Sequence, residues 1–227
     1  MLFDNGDLLS GNWKGAMGID FGTFTYNSES EFASYEGQIE DFKMHGKGIL
    51  TWKSGDQYEG DFVDGLLHGE GSKQFFDGSI LRGTWVNGSD PSNATIVYDN
   101  NSTLATFEGD LIDGQKWGFG KLVWKDGCSY EGQFERDRMH GFGKMKFRNV
   151  ELEDELVKYE GDFFEDEFVG NGSVFLQNGD SCSGTIENNS CYGNIEFAAK
   201  GSSTVGSLNW SLAHLDHDFK TSKLKLN

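Results

Sequence analysis

Three stretches of this chain superpose without a gap: Tyr35-Glu-Gly-Gln-Ile-Glu-Asp-Phe-Lys-Met-His-Gly-Lys-Gly48, Tyr58-Glu-Gly-Asp-Phe-Val-Asp-Gly-Leu-Leu-His-Gly-Glu-Gly71 and Tyr130-Glu-Gly-Gln-Phe-Glu-Arg-Asp-Arg-Met-His-Gly-Phe-Gly143. They share the frame Y-x-G-x-[hydrophobic]-x-x-x-x-x-H-G-x-G. Looser copies begin at Leu9, Leu81, Phe107, Tyr159 and Cys182, with Trp117 and Val169 standing where the histidine would be in two of them. Successive copies are offset by 26, 23, 23, 26, 23, 29 and 23 residues, a base period of 23 with three insertions. A fixed period of this length marks small units that bury apolar surface only by stacking on their neighbours. About eight copies account for residues 1–200, and residues 201–227 read as a separate linker and tail.

Within one copy the side chains alternate. Tyr58, Gly60 and Phe62 share one strand face, and Glu59 and Asp61 share the other. Asp64-Gly65 and Asp77-Gly78 read as turns. Each copy is therefore expected to be one β-hairpin, and the chain an all-β, elongated, single-layer, twisted antiparallel meander. One face gathers the large rings, which are expected to lie across bare glycine backbone and to pack on each other edge-on or offset. The other face carries Glu36, Glu59, Glu108, Glu131 and Glu160, with Asp61, Asp110 and Asp162 as a second row. That face reads either as a solvated surface that prevents sheet stacking or as a cation-binding surface. Leu208, Leu212, Leu215 and Phe219 follow helical spacing behind Ser207, which predicts a short C-terminal helix over the last open edge.

The frame with its period of 23 resembles the MORN (membrane occupation and recognition nexus) repeat, and Tyr58 to Gly71 fills every motif position. The resemblance implies a non-catalytic scaffold or adaptor in cytoskeletal, ciliary or membrane-junction assemblies. By that resemblance a helical or extended protein partner is expected along the aromatic face, on Trp52, Phe62, Phe75, Trp85, Trp124 and Phe134. The acidic rows would steer a basic partner. MORN repeats are also associated with anionic lipid. A membrane-tethering role would use Lys144, Lys146 and Arg148, together with the lysine-rich tail. Similar repeats precede lysine methyltransferase and lipid kinase domains, so a third reading is a regulatory module acting with a separate catalytic partner. Open sheet ends also make a homodimer through terminal edges an expectation.

Composition narrows these readings. Lys+Arg number 19 against 37 Asp+Glu, a net charge of −18, which disfavours nucleic acid and weakens an anionic membrane as the main partner. At 14% aromatic residues the chain is not an acidic disordered one. The start Met-Leu-Phe-Asp-Asn-Gly-Asp has no basic region and no long apolar run, so it does not read as a signal peptide. Cys128, Cys182 and Cys191 are an odd set without metal spacing, and a reducing cytoplasmic setting is the economical expectation.

No enzyme is expected. His45, His68 and His140 recur before a glycine, but two strands separate them, about 10 Å, too far to share one ion. They read as packing or hydrogen-bonding groups at a turn. His214 and His217 lie close in sequence and read as surface residues. There is no nucleophile elbow and no phosphate loop, and the repeat explains the Gly-x-Gly clusters. No cofactor or metal site is expected.

Overall fold

The protein is described here by a computed structural model covering residues 1–13, 19–148, 156–187, 190–197 and 201–209. It divides into two compact units, Met1–Asn101 and Ser102–Asn227. The first contains β1 (Leu8–Trp13), β2 (Ile19–Thr25), β3 (Phe32–Glu40), β4 (Lys43–Trp52), β5 (Gln57–Val63), β6 (Leu66–Gln74), β7 (Ile80–Val86) and β8 (Ser89–Val97). Each strand pairs antiparallel with the next. The second unit contains β9 (Leu104–Ile112), β10 (Gln115–Trp124), β11 (Ser129–Glu135), β12 (Arg138–Lys146), β13 (Leu156–Phe164), β14 (Glu167–Leu176), β15 (Ser181–Glu187), β16 (Ser190–Phe197) and β17 (Ser202–Asn209). These too pair antiparallel in chain order. Among the described residues no ladder closes either meander into a barrel, and there is no helix.

Chain order follows from the turns. Two residues link the strands of a hairpin, and both take positive φ: Asp64 and Gly65 at 51° and 86°, Asn87 and Gly88 at 50° and 78°, Arg136 and Asp137 at 51° and 71°. That is the type I′ turn, whose twist matches that of paired strands. The second turn residue also reaches back to the preceding hairpin. Gly65 N donates to Met44 O at 2.9 Å, Gly88 N to Leu67 O at 2.9 Å, Asp137 N to Lys116 O at 3.1 Å and Asp166 N to Met139 O at 3.0 Å. Each of these turns is thus tied to the preceding copy by a backbone bond.

The glycines of the frame stand opposite each other across the strands. In the first unit the row runs Gly11, Gly22, Gly37, Gly48, Gly60, Gly71 and Gly83. In the second it runs Gly109, Gly120, Gly132, Gly143, Gly161, Gly172, Gly184, Gly193 and Gly206. The repeat tyrosine lies across one such pair. A Cβ on Gly60 or Gly71 would fall inside the Tyr58 ring, and Tyr35, Tyr130 and Tyr159 cover their own glycine pairs in the same way. The rings then meet edge-on. Tyr58 contacts Phe62 of its own copy at 5.2 Å and Trp85 of the next at 5.0 Å. Tyr130 repeats this with Phe134 at 5.1 Å and Phe163 at 4.9 Å. Tyr35, Tyr58, Tyr130 and Tyr159 have no exposed surface, so rings over glycine form the core of each unit.

The His-Gly dipeptide has a separate role. Gly60 faces Gly71, yet the next pair is Asp61 with His68, so β6 carries two extra residues, Gly69 and Glu70. Gly69 takes φ +60°, a left-handed conformation that glycine adopts without strain. The bulge draws carbonyls out of regular pairing, and the tyrosine hydroxyl donates to them. Tyr35 Oη lies 2.7 Å from Gln38 O and 3.1 Å from His45 O. Tyr58 Oη lies 3.3 Å from Asp61 O and 3.4 Å from His68 O, Tyr130 Oη makes the matching pair to Gln133 O and His140 O, and Tyr159 Oη donates to Asp162 O at 2.8 Å. Tyrosine, two facing glycines and the bulge are one device.

The end of the chain departs from expectation. Ser207 and Leu208, expected to begin a helix, lie in β17 opposite Tyr192 and Cys191. The free edge of β16 offers a full ladder to that segment, which outweighs its helical spacing. Residues 210–227, which carry the rest of the expected helix, lie outside the described residues.

Candidate functional site

Glycine Cβ positions point to the tyrosine side of the sheet, so the opposite face shows bare backbone along the glycine row. In the first unit this is a groove of about 690 Å³. Gly48, Gly60 and Gly71 form its floor. Glu36, Ile49, Glu59, Ser72 and Arg82 form one wall, and Phe21, Lys47 and Glu70 the other. The ladder sets this arrangement: Glu36 faces Ile49, which faces Glu59, then Ser72, then Arg82. The walls are residues i−1 and i+1 around each glycine, about 6.8 Å apart along the strand. Lys47 pairs with Asp61 at 2.7 Å, and its backbone N–H donates to Gln38 Oε1 at 2.8 Å. Thr84 bonds Glu70 on the neighbouring strand.

The same face of the second unit is charged in alternation. Glu108 faces Lys121, which faces Glu131, then Lys144, then Glu160. Second-strand lysines therefore interleave the repeat glutamates, and neighbours in the row attract. Lys158 Nζ is 2.7 Å and Lys144 Nζ 3.7 Å from Glu160 Oε1, and the Lys158 hydrogen bond in the first place holds the Glu160 carboxyl below its ordinary range. Among the described residues no group of three or more His, Cys, Asp and Glu is placed to hold a metal ion.

The residues expected to meet a partner are mostly interior. Phe62 is 0% exposed, Phe75 6%, Trp85 4%, Trp124 3% and Phe134 3%. Sequence patterning treated a single layer as having an open aromatic face. The rings cover the glycines and one another, as expected, and that packing takes these five side chains out of solvent. Trp52 alone is half-buried, with Phe32 5.8 Å away and Lys73 Nζ 4.5 Å over its ring. Lys73 stands where other copies carry Leu50, Leu122 or Met145, and Phe75 flanks it at 5.0 Å and Asp56 at 3.8 Å. Burial lowers its ammonium pKa against the pull of Asp56. Lys144, Lys146 and Arg148 are exposed on the face opposite the tyrosines.

The repeated histidines are separate from one another. His45 Nε2 lies 3.1 Å from Glu40 and His140 Nε2 3.7 Å from Glu135, while Asn87 N donates to His68 Nδ1 at 3.5 Å. His214 and His217 lie outside the described residues. Two cysteines are not free: Cys182 and Cys191 form a disulfide with Cα atoms 6.1 Å apart. Their copy lacks the His-Gly bulge, so β15 and β16 run in unbroken register, and Cys182 replaces the tyrosine that the bulge would need. Burial pushes the Cys128 thiol up to about 11. Patterning also missed Lys116, whose Nζ is 3.1 Å from Asp137 Oδ1 in the interior of the second unit. Its signal was a lysine at the strand position that holds Met44, Leu67 and Met139 in other copies.

Comparison with known proteins places this geometry. A MORN repeat family model matches residues 35–57, 58–80, 107–129, 130–149 and 159–181. The copies beginning at Leu9, Leu81 and Cys182 are not among the matches. Alsin of Mus musculus is 30% identical over 89 residues, 39% of this chain and 5% of the relative. The SAS-4 (dCPAP) TCP domain of Drosophila melanogaster, solved in complex with a proline-rich motif of Ana2 (dSTIL), is similar over 71% of this chain and 84% of its own, at 14% identity and a TM-score of 0.36.

Proposed function

Because this chain belongs to the MORN-repeat family, whose repeats are protein- or membrane-interaction modules, we propose that it is a non-catalytic adaptor binding an extended protein segment along the glycine-floored groove of its first unit. The groove itself carries this reading: about 690 Å³ of open space between two walls of mixed charge, floored by backbone that no side chain covers. Repeat arrays hold extended partners on such continuous surfaces. Walls about 6.8 Å apart admit an extended chain more readily than a helix, which with side chains is about 10–12 Å across. Glu36, Glu59 and Glu70 outnumber Lys47 and Arg82, which favours a segment with net positive charge. The buried aromatic row supports the groove from behind, and Trp52 lies on the tyrosine side rather than in it.

Site-specific crosslinking tests this. A photoreactive residue at Ser72, inside the groove, should capture a partner peptide that the same residue at exposed Phe76, on a turn, does not. Combined Glu59→Arg and Glu70→Arg should abolish the capture. Equal capture from both positions, or capture that ignores the charge reversals, removes the groove as the site.

A membrane reading rests on one observation, that Lys144, Lys146 and Arg148 are exposed on one face and Lys146 stands opposite Lys158. It predicts co-sedimentation with anionic vesicles that falls with salt and is lost on Lys146→Glu. An acidic protein that stays in the supernatant at low salt removes it.

A further inference from the structure

The x of His-Gly-x-Gly points away from the tyrosines. In the second unit this position holds Phe119 on β10 and Phe142 on β12, 62% and 54% exposed. Neither ring belongs to the core. Trp117, half-buried, faces Asp110 on the same side of β10, so three aromatic side chains share this stretch of the face. β11 separates the two phenylalanines, which sets them about 9.6 Å apart at two strand spacings. The opposite wall, two residues further along each strand, carries exposed Lys121 and Lys144, and exposed Gln133 stands between the rings on β11.

That spacing discriminates among ligand conformations. A polyproline II segment has three residues per turn and rises about 3.1 Å per residue, so residues i and i+3 lie on one side about 9.3 Å apart. A β-strand repeats its side at about 6.8 Å and then about 13.6 Å, and meets one ring but not both. A helix returns every seventh residue at about 10.5 Å but is wider than the gap between the walls. Polyproline II also leaves its carbonyls without internal partners, and the side-chain donors of Lys121, Lys144 and Gln133 surround the path. Proline-rich segments dock on aromatic-lined grooves because they are already ordered before binding.

We propose that the Phe119–Phe142 strip of the second unit binds a proline-rich segment in the polyproline II conformation, one proline per aromatic ring at i and i+3. Exposed Glu131, with Asp162 beside Phe142, makes a basic residue between the prolines the favoured companion. The surface lies in the other unit from the groove proposed above and does not depend on it.

The test uses the full chain and three fluorescent peptides of about twelve residues and equal charge. One has Pro-x-x-Pro spacing with arginine between. The second has serines in place of its prolines. The third is an amphipathic helix with leucine every seventh residue. The first should bind saturably. Phe119→Ser with Phe142→Ser should weaken it about tenfold or more, the loss of about 1.4 kcal/mol, with the urea midpoint unchanged because both rings are more than half exposed. Phe76→Ser, an exposed ring on a turn of the first unit outside the groove, should leave affinity unchanged. Absence of saturable binding, equal binding of the serine peptide, preference for the helix, or insensitivity to the double substitution each overturns the proposal.

Discussion

Replacing Gly71 by alanine tests the device on which the fold depends. The added Cβ would lie within 2.5 Å of Tyr58 Cε2 and closer still to Cζ and Oη. The ring has nowhere to go. It has no exposed surface, and Phe62 and Trp85 meet it at 5.2 and 5.0 Å. Overpacking of this kind costs about 1–3 kcal/mol. A ring that tilts away also loses one or both hydroxyl bonds, about 1 kcal/mol each. Against this, alanine in a strand gains about 0.5–1 kcal/mol over glycine. The expected net loss is about 1–4 kcal/mol, read as a lower urea midpoint at constant slope. Gly206→Ala is the control: it sits in the same glycine row of its own unit, its Cβ meets only Ile195 Cδ1 at 3.4 Å, and it should cost nothing. In a Tyr58→Leu background the cost of Gly71→Ala should fall below about 0.5 kcal/mol, which isolates the ring contact as a coupling. If Gly71→Ala is neutral in the wild-type chain, or equally costly without the tyrosine, ring-over-glycine stacking is not what holds the sheet and the argument fails.

Three further outcomes follow from the same structure. Burial raises the phenol of Tyr35 from 10.0 to about 12 and those of Tyr58, Tyr130 and Tyr159 in the same direction; the folded state then holds these protons more tightly than the unfolded one, so stability is full below about pH 10 and falls as pH rises beyond it, in step with phenolate absorbance. Lys116→Met takes the ammonium away from the buried Asp137 carboxylate, whose Oδ1 still accepts from the backbone N–H of residue 116, and should cost about 3–5 kcal/mol in chemical denaturation; adding Asp137→Gly should restore part of it, since glycine suits φ +71° at that turn but leaves that N–H without its acceptor. Reducing the Cys182–Cys191 disulfide should raise amide hydrogen exchange in β15 and β16 while β3 to β6 stay protected, and uniform loosening of both units would contradict it.

The period, the hairpins, the tight turns and the glycine-backed rings were all legible in residue order, because each is a local rule repeated many times. Which face of the sheet stays open was not. Alternation told which residues share a face, but not that Phe62, Trp85 and Phe134 pack edge-on against the tyrosines that cover the glycines and are buried there. The clue to the open face was the x of His-Gly-x-Gly, where Phe119 and Phe142 depart from the polar Lys47 and Glu70. Lys121 and Lys144 read from the sequence as facing the acidic row, and the two extra residues of the bulge decide which glutamates each stands opposite, a shift that a period count cannot assign. Ser207 and Leu208 carried a helical pattern, yet an unpaired strand edge was adjacent, and spacing alone does not register such a neighbour.

The turn-to-carbonyl bond, Gly65 N to Met44 O and its equivalents, carries one further implication. Four joints, two in each unit, share this form, and in each the turn bonds the copy immediately before it. Cutting out one whole copy would bring together two surfaces that already know how to fit, whereas removing a few residues from inside a copy would leave a turn with no carbonyl to find. A chain built this way is free to lengthen or shorten in whole periods, and its reach can be set by gene duplication without a new interface having to be invented.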